Sequence, residues 1–83
     1  MTQNEIKEKT MKDLGIGEHR ARTYAKMFKE KFGGNVMAIT YTLATYTPDG
    51  GVRFSYIINE ARYFLTIDGN NPYSAKKKEM SNK

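Results

Sequence analysis

Six side chains in the first third of the chain are of the types that meet nucleic acid, and their spacing is helical. His19, Arg22, Thr23, Lys26 and Lys29 recur at three- and four-residue intervals, with Arg20 between the first two. On one helix they form a basic stripe. Its N-terminal residues, His19, Arg20, Arg22 and Thr23, suit base edges in the major groove, and Lys26 and Lys29 suit phosphates. Arg53, in a later strand, adds a contact from a hairpin.

A stripe of this kind needs an anchored helix behind it. Ala21, Tyr24, Ala25, Phe28 and Phe32 supply the opposite, apolar side at helical spacing. Upstream, Gly15-Ile16-Gly17 reads as the turn of a helix-turn-helix. Gly15 takes the left-handed conformation that ends the first helix, Ile16 plugs the gap between helices, and Gly17 caps the second. Small Ala21 permits close crossing. Met11 departs from the pattern, which usually has a small residue there. The same turn also resembles a helix-hairpin-helix, whose backbone N–H groups hold phosphate without reading sequence. Leu14 stands where that motif usually has Pro, which ranks it second.

The residues for catalysis are not assembled. His19 is the lone histidine, there is no cysteine, and no carboxylate is spaced to partner the imidazole. Asp49 and Asp68 are explained by turns, and Glu60 by the favourable first turn of a helix. Gly50-Gly51 lacks the Lys-Ser or Lys-Thr of a phosphate loop. The reading is therefore of a non-enzymatic protein without metal or cofactor.

Eighty-three residues make one domain with a small core. The absence of cysteine excludes a disulfide framework. No apolar run approaches a membrane span, and residues 1–5 lack the features of a secretory signal, so the expected location is the cytoplasm. The net charge of +5 is uneven. Residues 1–35 carry eight Lys/Arg against five Asp/Glu, residues 36–70 two against three, and residues 71–83 four against one. Basic ends around a near-neutral middle favour an anionic partner, double-stranded DNA first.

The expected fold is α+β: an N-terminal helix-turn-helix, a β-hairpin, and a short third strand or helix. Thr2 and Glu5 make a capping box for a helix running to about Leu14, with Ile6, Thr10 or Met11, and Leu14 inward. The second helix spans residues 18–32 and stops at Gly33-Gly34-Asn35. Residues 36–47 read as a strand in which Met37, Ile39, Tyr41 and Leu43 share one face. Pro48-Asp49-Gly50-Gly51 turns the chain. Residues 52–58 return with Val52, Phe54, Tyr56 and Ile58 on one face. For residues 59–67, propensity favours a strand through Tyr63, Leu65 and Ile67. The alternative is a helix capped by Asn59, with Ala61, Phe64 and Leu65 inward. Residues 1–73 form the domain, with a last helix opening at Asn71-Pro72, and residues 74–83 form a Lys-rich tail.

The pattern resembles phage regulatory proteins of the Rha and antirepressor type, and the related N-terminal domain of viral BRO proteins. The resembling residues are Gly17-Glu18-His19-Arg20-Ala21-Arg22, Thr47-Pro48-Asp49-Gly50-Gly51, Tyr56-Ile57-Ile58-Asn59-Glu60, Phe64-Leu65, and Asn71-Pro72 with Ala75-Lys76-Lys77. The resemblance implies a sequence-reading DNA-binding regulator, with the hairpin as a wing or a scaffold. It tips residues 59–67 toward the helix.

Two other readings stand beside this one. A small inhibitor or adaptor would bind a host protein through the hairpin, using Thr40, Thr42, Arg53, Ser55 and Ile57. RNA could stack on Tyr41, Tyr46, Tyr56 and Tyr63, although core packing explains these tyrosines better. Helix-turn-helix proteins often dimerise, which leaves a homodimer open.

Overall fold

The computed structural model describes residues 1–68. Helix α1 (Gln3–Leu14) and helix α2 (Glu18–Phe32) are followed by a 3-10 turn (Val36–Ala38) and strands β1 (Tyr41–Tyr46), β2 (Val52–Ile58) and β3 (Ala61–Ile67). The strands form one antiparallel sheet in the order β1-β2-β3. The helices cover one face of it, giving the expected α+β architecture. Among the described residues, no helix is long and apolar enough to cross a membrane.

The helix ends follow the local chemistry. The N–H of Thr2 donates to Glu5 Oε1 at 2.7 Å and the N–H of Glu5 donates to Thr2 Oγ1 at 3.1 Å, a reciprocal capping box. At the other end of α1, Gly15 is left-handed at φ 65°, and the N–H groups of Gly15 and Ile16 both donate to the Met11 carbonyl. Ile6 and Thr10 are buried, and Met11 and Leu14 are half-buried. The Thr10 hydroxyl donates to the Ile6 carbonyl at 2.7 Å, which satisfies it inside the core. Gly33 ends α2 with φ 107°.

Phe28 of α2 is the centre of the core. It stacks on Phe54 of β2 at 4.5 Å and meets Tyr56 edge-on at 5.3 Å. Ala21 and Ala25 are fully buried, while Tyr24 and Phe32 pack at the margin. This is the apolar stripe that the spacing predicts.

The β1 region differs from expectation. The strand predicted over residues 36–47 begins only at Tyr41, and its phase is reversed. Val36 and Ile39 point inward from the 3-10 turn, three residues apart, and Met37 is 67% exposed. The turn resets the alternation, so Thr42 and Ala44 face the core while Tyr41 is 40% exposed. A one-residue slip carries every side chain to the other face. Small residues suit the inner face of β1, because α1 packs directly against that strand. Thr42 is therefore buried rather than available to a partner.

Residues 61–67 are a strand, not the helix that the resemblance favours. Asn59 and Glu60 both have positive φ, 49° and 69°, and form the two-residue turn between Ile58 and its partner Ala61. That is the backbone signature of a tight hairpin turn. Glu60 thus occupies a turn and does not open a helix, and Ala61 and Phe64 are exposed. At the β1–β2 turn, Thr47 closes Pro48-Asp49-Gly50 as expected. Its N–H donates to the Gly51 carbonyl at 2.9 Å, and its Oγ1 accepts the Gly51 N–H at 2.8 Å.

The pairing defines the outer face of the sheet row by row. Tyr41, Ile57 and Arg62 lie side by side; then Leu43, Ser55 and Phe64; then Thr45, Arg53 and Thr66. No described helix covers these rows. The expected helix at Asn71-Pro72, the domain limit at residue 73 and the tail 74–83 lie outside the described residues.

Candidate nucleic-acid interface

The buried stripe of Ala21, Ala25 and Phe28 turns the other side of α2 to solvent. His19, Arg20, Arg22, Thr23 and Lys26 are all exposed, and Lys29 is half-buried. With about 100° between successive residues, His19, Arg22, Thr23 and Lys26 form one stripe, and Lys29 flanks it beside Arg22. Arg20 is exposed on the other flank, roughly 160° from Arg22 by the same helical geometry. Lys31, not among the cations of the predicted stripe, shares that flank and is also exposed.

Two carboxylates interrupt the stripe. Glu18 forms an ion pair with Arg22 one turn along the helix, and Lys7 Nζ of α1 approaches the same carboxylate at 3.6 Å. Lys7 also lies 3.3 Å from Glu8. Glu30 is exposed one turn beyond Lys26 and so lies on the stripe itself. Both carboxylates stand four residues from a cation of the stripe, the spacing at which helical side chains meet. The Thr23 hydroxyl donates to the His19 carbonyl at 3.1 Å.

The N-terminus of α2 has no side-chain cap, since Gly17 occupies that position. Its first-turn N–H groups therefore add positive potential beside His19 and Arg20. At the other end, Lys26, Lys29 and Glu30 border a shallow depression with Gln3, Gly33 and Gly34.

Arg53 is not part of this assembly. It alternates with Val52 and Phe54, and Phe54 faces Phe28, so Arg53 projects from the opposite side of the sheet. There its guanidinium lies 5.7 Å from the Phe64 ring centre. The β1–β2 hairpin packs beneath the helices as a scaffold. Of the four tyrosines considered for stacking, Tyr56 belongs to the core cluster with Phe28 and Phe32, and Tyr63 stacks on Tyr56 at 5.5 Å. Tyr41 alone is on the outer face, while Tyr46 is exposed near the turn.

His19 is exposed on α2. Asp49 and Glu60 sit in turns at opposite ends of the sheet, and the Thr47 hydroxyl donates to Asp49 at 2.5 Å. Among the described residues, no group of three or more His, Cys, Asp or Glu is placed to hold a metal ion. Comparison with family models, with curated proteins and with solved structures finds no match for the chain.

Proposed function

We propose that this chain is a cytoplasmic DNA-binding regulatory domain that lays α2 in the major groove of double-stranded DNA. The observation that carries the reading is the two-sidedness of α2. One side is locked into the aromatic core through Phe28. The other holds His19, Arg22, Thr23 and Lys26 in solvent with Lys29 beside them. His19, Arg22 and Thr23 face base edges, Lys26 and Lys29 take phosphates, and Arg20 contacts the backbone from the flank. The resemblance to phage regulators of the Rha and antirepressor type agrees with this use. Arg53, on the far side of the sheet, takes no part in the same groove.

The test is fluorescence anisotropy of a labelled random-sequence duplex titrated at several salt concentrations. Log affinity falls with log salt at a slope near −0.9 per phosphate contacted. Lys26→Ala weakens binding to every sequence, whereas Arg22→Ala costs about 1–3 kcal/mol at its cognate base only. Absence of binding at low salt, or indifference to both substitutions, sinks the proposal.

A further inference from the structure

The outer face of the sheet is left unused by the duplex reading. It is built differently from α2. Phe64 is 59% exposed and Tyr41 is 40% exposed, on the two outer strands. Phe64 lies two strands across and one outer row along from Tyr41; at about 4.8 Å per strand and about 3.3 Å per residue the two positions are roughly 12 Å apart. Leu43 and Ile57 lie between them, half-buried. The charged groups that project from this face are Arg53 and Arg62, and its nine positions hold no carboxylate. Arg53 sits over Phe64, and Lys9 Nζ lies 5.1 Å from the Tyr41 ring centre.

Exposed aromatic rings with cations beside them call for a partner that is both planar and anionic. A protein partner would meet the apolar surface but leave the guanidinium groups needing carboxylates at matched positions. A second copy of the sheet would bring Arg53 and Arg62 against like charges, which is unfavourable. A single strand of nucleic acid satisfies both features, since unstacked bases lie on aromatic rings while the backbone follows the cations. We infer that the outer sheet face is a second, sequence-tolerant site for single-stranded nucleic acid, with Phe64 and Tyr41 as stacking platforms and Arg53 and Arg62 as phosphate contacts. It lies opposite α2 and does not depend on the duplex reading.

The experiment titrates the chain into labelled oligothymidylate and oligouridylate of twelve nucleotides, with a labelled duplex in parallel. The unmodified chain binds at least one of the single strands at low salt. Phe64→Leu keeps apolar volume on the strand but removes the ring face, and weakens single-strand binding by about tenfold or more. Tyr41→Leu acts in the same direction, and Arg53→Gln lowers the salt slope. Duplex binding is unchanged by these three, while Lys26→Ala does the reverse. Circular dichroism of each variant confirms the fold.

Three results overturn the inference. One is no single-strand binding at low salt. Another is full retention of binding by both Phe64→Leu and Tyr41→Leu. The third is a concentration-dependent dimer, seen by sedimentation and abolished by Phe64→Leu, which assigns the face to self-association. A failure confined to the duplex arm counts against the α2 proposal alone.

Discussion

The Asp13 carboxylate caps a backbone donor on the β1 edge of the sheet: its Oδ2 accepts the N–H of Ala44 at 3.0 Å. Its other oxygen takes the ammonium of Lys9 at 3.0 Å, one turn back along α1. Residues 41, 43 and 45 bond to β2, so the N–H of Ala44 points away from the sheet. Edge groups of this kind invite pairing with other chains, and a helix-borne acceptor blunts the hazard. Asp13→Ala leaves the Ala44 N–H unmet at a nearly buried position and is expected to cost about 1–3 kcal/mol. Asp13→Asn keeps an acceptor and costs less. Urea unfolding of both variants decides it, and equal stability of all three proteins would remove the role assigned to Asp13.

Two glycines two residues apart are expected to respond in opposite ways. Gly15 has φ 65°, and a Cβ there meets nothing within 4 Å, so Gly15→Ala carries only the cost of the left-handed backbone. That cost is about 1–2 kcal/mol. Gly17 has φ −76° and ψ 170°, equally open space, and no side-chain cap to offer α2. Gly17→Ser supplies the missing oxygen and restricts the unfolded chain, a gain of about 0.5–1 kcal/mol. Thermal melts of the two variants should move to either side of the parent.

The ion pair of Glu18 with Arg22 sets a limit on duplex affinity. Before Arg22 can meet a base, it must leave a carboxylate that Lys7 also approaches. Glu18→Gln releases Arg22, leaves Lys7 paired with Glu8, and removes a negative charge from the approach path. An exposed pair is worth about 0.2–1 kcal/mol, so affinity should rise by up to roughly fivefold. The anisotropy titration measures this directly, and a weaker complex with Glu18→Gln would show that Glu18 itself contacts the duplex.

Stability should fall at both pH extremes for identifiable reasons. The hydrogen bond from the Thr2 backbone, and then that from its side chain, hold the Glu5 carboxyl below its ordinary pKa. Its contribution is present above the unfolded value and is lost as pH falls through the lowered native one. The Asp13 hydrogen bond holds Lys9 above its ordinary pKa. That contribution is present below the unfolded value and is lost as pH rises through the raised native one. Melting temperature against pH should therefore converge with that of Glu5→Gln on the acid side and with that of Lys9→Met on the alkaline side. Parallel curves at both ends would contradict the two assignments.

How much of this was legible in the sequence depends on whether local or tertiary forces decide. The capping box at Thr2, the turn at Gly15 and the buried side of α2 are local, and all three are where the residues put them. The phase of β1 is not local. Alternation over residues 36–47 favours the face of Met37, Ile39, Tyr41 and Leu43 inward, and the structure overrides it. The choice falls to Val36 and Ile39 in the 3-10 turn and to the close approach of α1 over Ala44. At β3, Asn59-Glu60 suits a helix cap and a hairpin turn alike, and pairing with β2 settles it. Arg53 looked like a partner of α2 in a linear reading, since only the sheet shows that it projects from the other side. Glu18 could have been found: a carboxylate four residues before Arg22 is a signal that sequence spacing already carries.

The strand order β1-β2-β3 means that every strand pairs with its neighbour along the chain, and α1 and α2 are likewise sequential. The described residues thus form two locally connected halves, joined where α1 meets β1, where α2 meets β3 and where Phe28 stacks on Phe54. Contacts within each half are short in sequence and cost little loop entropy, so refolding should be fast for a mixed domain, on the millisecond scale. Neither half can hide its apolar side alone, and an isolated meander of this size is marginal in water. The barrier is then the docking of one half on the other through Phe28 and Phe54. In stopped-flow refolding, Phe28→Ala should slow the approach to the native state, and Gly17→Ser should act mainly on how quickly that state is lost.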